Sequence, residues 1–164
     1  MMDHRLLGVY LNNHLTGATG GVEMFRRVAQ QHAGSDRGVE LTRLADEVAA
    51  DRDTLLDIMR RLEVSQNKAL TSLGWLGEKA GRLKPNGYVL RRSPLSDVVE
   101  LEALRVAVAA KHAGWQILRA VAVHDSRVTR QEVETLLERA EDQSERLYKL
   151  HLQVAEEQLS EADR

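Results

Sequence analysis

The stretch that decides the fold is residues 4–32, HRLLGVYLNNHLTGATGGVEMFRRVAQQH. One set of positions in it recurs at alternating steps of three and four residues, which is the spacing of one face of a long α-helix. The face consists of His4, Leu7, Leu11, His14, Ala18, Gly21, Phe25, Val28 and His32. A face of this kind packs lengthwise against other helices and is normally apolar, so its histidines raise the question of function.

The remaining sequence carries helical patterns in four further segments. We predict long helices over about 3–33, 39–63, 94–123 and 129–160, and a shorter helix over 66–80. Residues 34–38 hold two glycines and separate the first two helices. Residues 129–132, TRQE, form a capping box that opens the last helix. We therefore expect one all-α domain that spans residues 1–164.

The spacing of the helices predicts their directions. Helices of about 27 residues are roughly 40 Å long, and the irregular residues 81–93 can extend over roughly 43–47 Å. The connection can therefore travel the length of the bundle and make the second and third long helices parallel. Two antiparallel hairpins joined by one long crossover resemble the ferritin-like superfamily. The resemblance implies a ferritin-like four-helix bundle with a short extra helix in the crossover.

Two phrases of the sequence are also similar to phrases in bacterial proteins. They are YLNNHLTGATGG at 10–21 and WLGEKAG at 75–81. This likeness implies a bacterial source and no activity.

The ferritin-like resemblance implies a metal site whose motif the sequence lacks. Di-metal members of that superfamily supply a Glu from each of two helices and a Glu-x-x-His pair from each of the other two. No Glu-x-x-His occurs here; Arg26, for example, stands three residues after Glu23. Histidine pairs at i, i+4, phosphate-binding glycine loops and nucleophile elbows are also absent from the sequence. We therefore predict no di-iron site and no cofactor.

Several inward-facing polar residues fall at similar heights in the predicted bundle. His14, Asp51 and His112 lie within about 8 Å of one another along the axis, and Ser144 or Gln143 lies at the same level. One interpretation of this polar core layer is a buried hydrogen-bonded network. A second is a set of exposed or unrelated side chains. A third is a zinc or iron site in which two imidazoles and a carboxylate bind the metal.

A possible buried ion pair is a separate prediction. Arg105 lies on or beside the inner face of the third long helix, and a buried arginine requires a carboxylate partner. Glu47 lies at a similar level and is the predicted partner, with Glu102 as the alternative. The other interpretations are an arginine that reaches solvent and an anion-binding pocket between helices.

A glycine-rich tract interrupts the first helix. Residues 16–21, TGATGG, place three glycines in mid-helix, and each costs about 1 kcal/mol relative to alanine. The tract predicts close approach of another helix, within the subunit or across a dimer, or, alternatively, a local distortion or pocket beside the polar layer.

The composition narrows the classes of partner. The chain has no cysteine, which excludes disulfides, thiolate metal sites and a cysteine nucleophile. The longest apolar run, 106–110, is too short to cross a bilayer, and the N-terminus lacks the apolar run of a signal peptide. We therefore expect a cytoplasmic protein without membrane contact. The basic residues of 68–92 lie near Trp75 and Tyr88 but form no recognised nucleic-acid motif, so nucleic-acid binding is not expected.

Taken together, these features predict a non-enzymatic structural or protein-interaction role. The expected partner is a second copy of the chain in a homodimer, and an unidentified protein partner is compatible with this role. A first alternative is a metal-binding or oxidoreductase-like bundle that uses His14, Asp51 and His112 with zinc or iron. A second alternative is a carrier of a small ligand, with its pocket near the glycine tract.

Overall fold

The computed structural model describes residues 3–67, 93 and 95–160. Within these residues the chain forms four α-helices: α1 (His4–Gln31), α2 (Asp36–Arg61), α3 (Leu95–Val121) and α4 (Arg130–Ser160). This architecture confirms the predicted all-α four-helix bundle, and the predicted helix ends differ from the observed ones by a few residues. Most of the predicted short helix, and the basic segment 68–92, lie outside the described residues.

Local side chains set the ends of the helices. Asp3 accepts hydrogen bonds from two amides in the first turn of α1. Ser35 accepts one from the Gly38 amide at the start of α2, and Thr129 accepts one from an amide in the first turn of α4. These caps satisfy amides that have no partner within the helix. Gly34 adopts φ +85°, a left-handed conformation that glycine enters at little cost, and so makes the predicted turn before α2.

Pairs of residues on neighbouring helices reveal the helix directions. The pairs are Arg27 with Glu100, His14 with Gly114, Arg37 with Glu157 and Arg61 with Glu132. The first two pairs show that α1 and α3 are antiparallel, and the last two show the same for α2 and α4. Since α1–α2 and α3–α4 are the closely packed hairpins, α2 and α3 run parallel. The end of α2 and the start of α3 therefore lie at opposite ends of the bundle.

The apolar core consists of two halves with a polar layer between them. One half is centred on Leu11, Ile58, Leu118 and Val133, and the other on Phe25, Leu44, Leu104 and Leu147. Each of these buried side chains stabilises the fold by about 1.5–3 kcal/mol relative to exposure. Asp51, Lys111 and Gln143 lie between the two halves, at the middle of α2, α3 and α4.

The outer faces of the helices are rich in charge. Lys149 and Glu145, one turn apart on α4, form a typical exposed pair at 2.8 Å. Such pairs contribute a few tenths of a kcal/mol each, so the core and not the surface charge holds the helices together. Among the described helices, none combines the length and the apolar character that a membrane span requires.

Two glycines give a testable contrast. A Cβ at Gly38 would lie 2.0 Å from the His32 carbonyl oxygen, so Gly38→Ala must displace the turn and is expected to cost about 1–3 kcal/mol of unfolding free energy. A Cβ at Gly17 would meet no described atom within 4 Å, so Gly17→Ala is expected to gain up to about 1 kcal/mol from helix propensity. Urea unfolding of both variants measures the two changes. Effects of the same sign would contradict this account.

Candidate functional site

A hydrogen-bonded network crosses the middle of the bundle. The Lys111 ammonium donates to Asp51 Oδ2 and to Gln143 Oε1. The Gln143 amide in turn donates to Asp51 Oδ2 at 3.3 Å and to Glu47 Oε2 at 3.1 Å. Asp51 and Gln143 are fully buried, at 1% and 0% exposure. One residue from each of α2, α3 and α4 therefore forms the centre of this polar layer.

The buried carboxylate of Asp51 faces two cations. Besides Lys111, Arg139 Nη2 lies 2.5 Å from Asp51 Oδ1. Burial lowers the pKa of Lys111, an effect that the neighbouring Asp51 carboxylate only partly offsets. Two cations, Lys111 and Arg139, thus face the Asp51 carboxylate, and the Glu47 carboxylate also lies close enough to act on Lys111.

The network continues to the surface between α2 and α4. Arg146 donates to Glu47 at 2.9 Å and also pairs with Glu40 and Asp142. Burial lowers the pKa of Arg146, but its hydrogen bonds to the three carboxylates outweigh burial and raise that pKa above the ordinary range. These long side chains span the gap between α2 and α4, whose backbones lie farther apart than those of the other neighbouring helices.

The remaining helix, α1, carries its glycine tract at the level of this polar layer. A Cβ at Gly17 or at Gly21 would meet no described atom within 4 Å. Close approach of another helix of the same chain is therefore not what these two glycines provide, and close approach across a dimer stays a prediction. Close approach occurs instead at Gly114 of α3, where a Cβ would lie 2.9 Å from His14 Nδ1.

The small residues leave a cavity of about 530 Å³ between α1 and α3. Its walls include Gly17, Ala18, Gly20 and Gly21 of α1 and Ala103, Ala107, Ala110 and Gly114 of α3. Its ends are formed by large apolar side chains such as Phe25 and Leu118, and its floor reaches Leu55 on α2. The cavity therefore enters the bundle core at the level of the polar layer.

A few charged groups also line this cavity. They are Lys111 and Asp51 of the network, Arg52, and the imidazole of His14. Arg52 pairs with Asp53 at 2.7 Å. The ring of His14 packs against that of Tyr10, with 4.5 Å between centroids, and burial lowers the pKa of His14. The cavity is thus apolar along most of its wall and polar at its floor.

The structure places the predicted polar-layer residues in different surroundings. Asp51 is central, and Gln143 is the member from α4, whereas Ser144 is only half-buried. His112 lies near the surface with Nε2 3.4 Å from Glu141 Oε1, and His14 lines the cavity beside Gly114. The physical reason is helix geometry, since a shift of one residue rotates a side chain by about 100°. Lys111, not His112, therefore points inward.

The predicted Arg105–Glu47 pair is replaced by other partners. Arg105 Nη1 lies 2.9 Å from His151 Nδ1, and its guanidinium lies over the Tyr148 ring at 5.1 Å. Glu47 accepts from Arg146 and Gln143 instead. The reason is that α2 and α3 are diagonal in the bundle, so side chains of α4 reach both residues first.

The proposed metal ligands do not come together. In the described parts of the chain, no group of three or more His, Asp or Glu side chains is arranged to hold a metal ion. His14, Asp51 and His112 each have separate neighbours, as given above. The geometry therefore offers no support for a zinc or iron site built from these three residues.

Lys111 and Arg139 are the participants that sequence reasoning missed. Lys111 continues the spacing of Leu104, Val108, Trp115 and Leu118, so its position on the inner face of α3 is visible in the sequence. That signal could have identified it. Arg139 carries no comparable signal, since it reaches Asp51 from the flank of α4 with its side chain 34% exposed.

Comparison of the chain with protein-family models, curated proteins and solved structures finds no match. The functional interpretation therefore depends on the polar layer and the cavity themselves.

The buried carboxylate gives a prediction on stability. Asp51→Asn is expected to lower the unfolding free energy by about 3–5 kcal/mol, because it leaves the Lys111 ammonium, whose side chain is 13% exposed, beside an uncharged amide. Asp53→Asn, at a neighbouring position with a side chain 64% exposed, is the control and should change it by less than about 1 kcal/mol. Asp51→Leu combined with Lys111→Met should recover part of the loss, since no isolated pair member remains. Denaturant titrations measure all three; equal losses for both asparagine variants would refute the assignment.

The histidine in the cavity wall gives a prediction on pH. Because burial lowers the pKa of His14 in the folded state, the unfolded chain takes up its proton first as pH falls through about 6.5. The wild type should therefore lose stability between pH 8 and pH 5 relative to His14→Gln, by less than about 1.4 kcal/mol per pH unit. His124→Gln, at an exposed position, is the control. Parallel pH profiles for wild type and His14→Gln would contradict the prediction.

Proposed function

We propose that this protein is a non-enzymatic binding protein that takes up a small, mainly apolar molecule in the cavity between α1 and α3. The observation that carries the proposal is the cavity itself, about 530 Å³ in volume and located at the glycine tract. Ligand sites typically have volumes of about 300–1,000 Å³, mostly apolar walls and a few polar groups that orient the ligand. The cavity matches each of these properties.

The glycines support this proposal because packing does not require them. Gly17 and Gly21 lie in mid-helix, where each costs about 1 kcal/mol relative to alanine. A methyl group at either position would meet open space in the described part of the molecule. Stability alone would therefore favour larger residues here, and space for a ligand explains why the chain has glycine.

The polar groups at the cavity floor support binding rather than catalysis. Lys111, Asp51 and Gln143 donate to and accept from one another across three helices. Such a network stabilises and orients groups, as a binding site requires. The proposal thus combines two predictions from the sequence, a non-enzymatic role and a carrier of a small ligand.

We also infer that the bundle has ferritin-like connectivity. The support is the pair of antiparallel hairpins with α2 parallel to α3, an arrangement that needs one long crossover. In this interpretation a Lys–Asp–Gln network occupies the mid-bundle core, where di-metal members carry carboxylates and histidines.

A homodimer in the bacterial cytoplasm is part of the same proposal. Val99, Val106 and Ile117 lie on one face of α3 and are 50%, 64% and 45% exposed. Exposed apolar side chains along a single helix face are typical of protein contacts. This face supports self-association beside the cavity, whose wall includes Val106.

Filling the cavity tests the binding function. Ala107→Leu adds three carbons to the cavity wall, whereas Ala109→Leu adds the same group at an exposed position of the same helix, away from the cavity. We expect the wild type and Ala109→Leu to bind an uncharged apolar dye such as Nile red with the same affinity. Ala107→Leu should weaken this binding about tenfold, which corresponds to about 1.4 kcal/mol.

Fluorescence titration measures the dye affinities, and circular dichroism establishes that both variants are folded. Absence of dye binding to the wild type, or equal affinities for the two folded variants, would overturn the proposed function.

A further inference from the structure

We propose that the molecule bound in this cavity carries a single anionic group, a carboxylate, that pairs with Lys111. This inference rests on the proposed binding function and names the class of ligand: an apolar body with one negatively charged group.

The balance of charge around the cavity floor supports an anion. Lys111 and Arg52 are cations that line the cavity, and Asp51 is the carboxylate that lines it. The Asp51 carboxylate is shared, because it contacts Arg139 as well as Lys111. Buried charges require partners of the opposite sign. Lys111 shares Asp51 with Arg139 and is also near Glu47, whereas Arg52 pairs with Asp53, which does not line the cavity. A ligand carboxylate would give the two lining cations a further acidic partner inside the cavity.

The hydrogen-bonding capacity of Lys111, Arg52 and Asp51 also supports an anionic ligand. An ammonium has three N–H donors, and Lys111 uses two of them for Asp51 and Gln143. Arg52 uses Nε and Nη2 for Asp53, and its Nη1 makes no hydrogen bond within the described residues. Asp51 already accepts from Lys111 and Gln143 and faces Arg139. Lys111 and Arg52 therefore retain N–H donors, whereas Asp51 Oδ1 accepts no hydrogen bond but lies 2.5 Å from Arg139 Nη2 and is paired with it by charge. The floor thus favours a ligand that accepts hydrogen bonds.

The apolar wall strengthens the preference for a ligand that accepts hydrogen bonds. Around Lys111 the cavity is lined mainly by alanine, glycine, leucine and phenylalanine side chains, and the Lys111 side chain itself is 13% exposed. Charge-assisted hydrogen bonds are short and strong in such surroundings, whereas a cationic group would meet repulsion from Lys111 and Arg52. Discrimination between an anionic and a neutral head group of the same chain length should therefore be at least tenfold.

The experiment compares three ligands that share one alkyl chain. Dodecanoate, dodecanol and dodecylammonium are titrated into the full-length protein below their micellar concentrations, by displacement of Nile red. We expect the wild type to bind dodecanoate at least tenfold more tightly than either of the others. Lys111→Met should abolish this preference, so that dodecanoate binds no more tightly than dodecanol.

Two controls separate this effect from general changes in charge or folding. Lys149→Met removes a cation whose side chain is 65% exposed on the outer face of α4, and it should leave all three affinities unchanged. Arg52→Gln, whose side chain is 32% exposed, should fold normally and reduce the preference for dodecanoate over dodecanol by about two- to fivefold. If Lys111→Met does not fold, the wild-type preference together with Arg52→Gln decides the question.

The outcomes distinguish this inference from the proposed function. Binding of dodecanol as tight as that of dodecanoate would overturn the anionic ligand and leave the binding function standing. A stronger affinity for dodecylammonium would overturn it in the same way. Failure of the wild type to bind any of the three ligands or the dye would overturn both.

Discussion

The buried carboxylate of Asp51 must be neutralised, and the arrangement of the bundle depends on how this is done. Lys111 comes from α3, and Gln143 and Arg139 come from α4. A slide of any of these helices by one turn, about 5.4 Å, would leave a charge buried without its partner. The network therefore contributes to setting the relative heights of α2, α3 and α4.

The same constraint explains the unusual composition of α1. Three helices supply the polar groups at mid-bundle, and α1 supplies small residues at that level, notably Ala18 and Gly21. The space that side chains of ordinary size would fill becomes the cavity between α1 and α3. The polar layer and the glycine tract are thus two halves of one site: the tract provides volume, and Lys111 provides a charge at its floor.

The helices, the turn at 34–38 and a polar layer around Asp51 could all be predicted from the sequence, because each depends on local spacing or on local cap chemistry. The positions of the histidines were harder to predict from the sequence. His112 stands one residue beyond Lys111, and this single step turns it from the core towards Glu141. Arg105 and Glu47 lie at a similar height along the bundle but on diagonally opposite helices, so each pairs with a residue of α4 instead.

The spacing of the face residues in 4–32 determined by itself that α1 is a long helix with one inner face. Alternating steps of three and four residues place side chains on one buried face in an α-helix and in no other regular structure. Residues 4–32 also contained the glycines at the level of the polar layer. Only the tertiary structure decided what those glycines do, because the space beside Gly17 and Gly21 depends on the distance of α3, which no local pattern encodes. The same holds for Lys111, whose role follows from the carboxylate that α2 brings to it from 60 residues away.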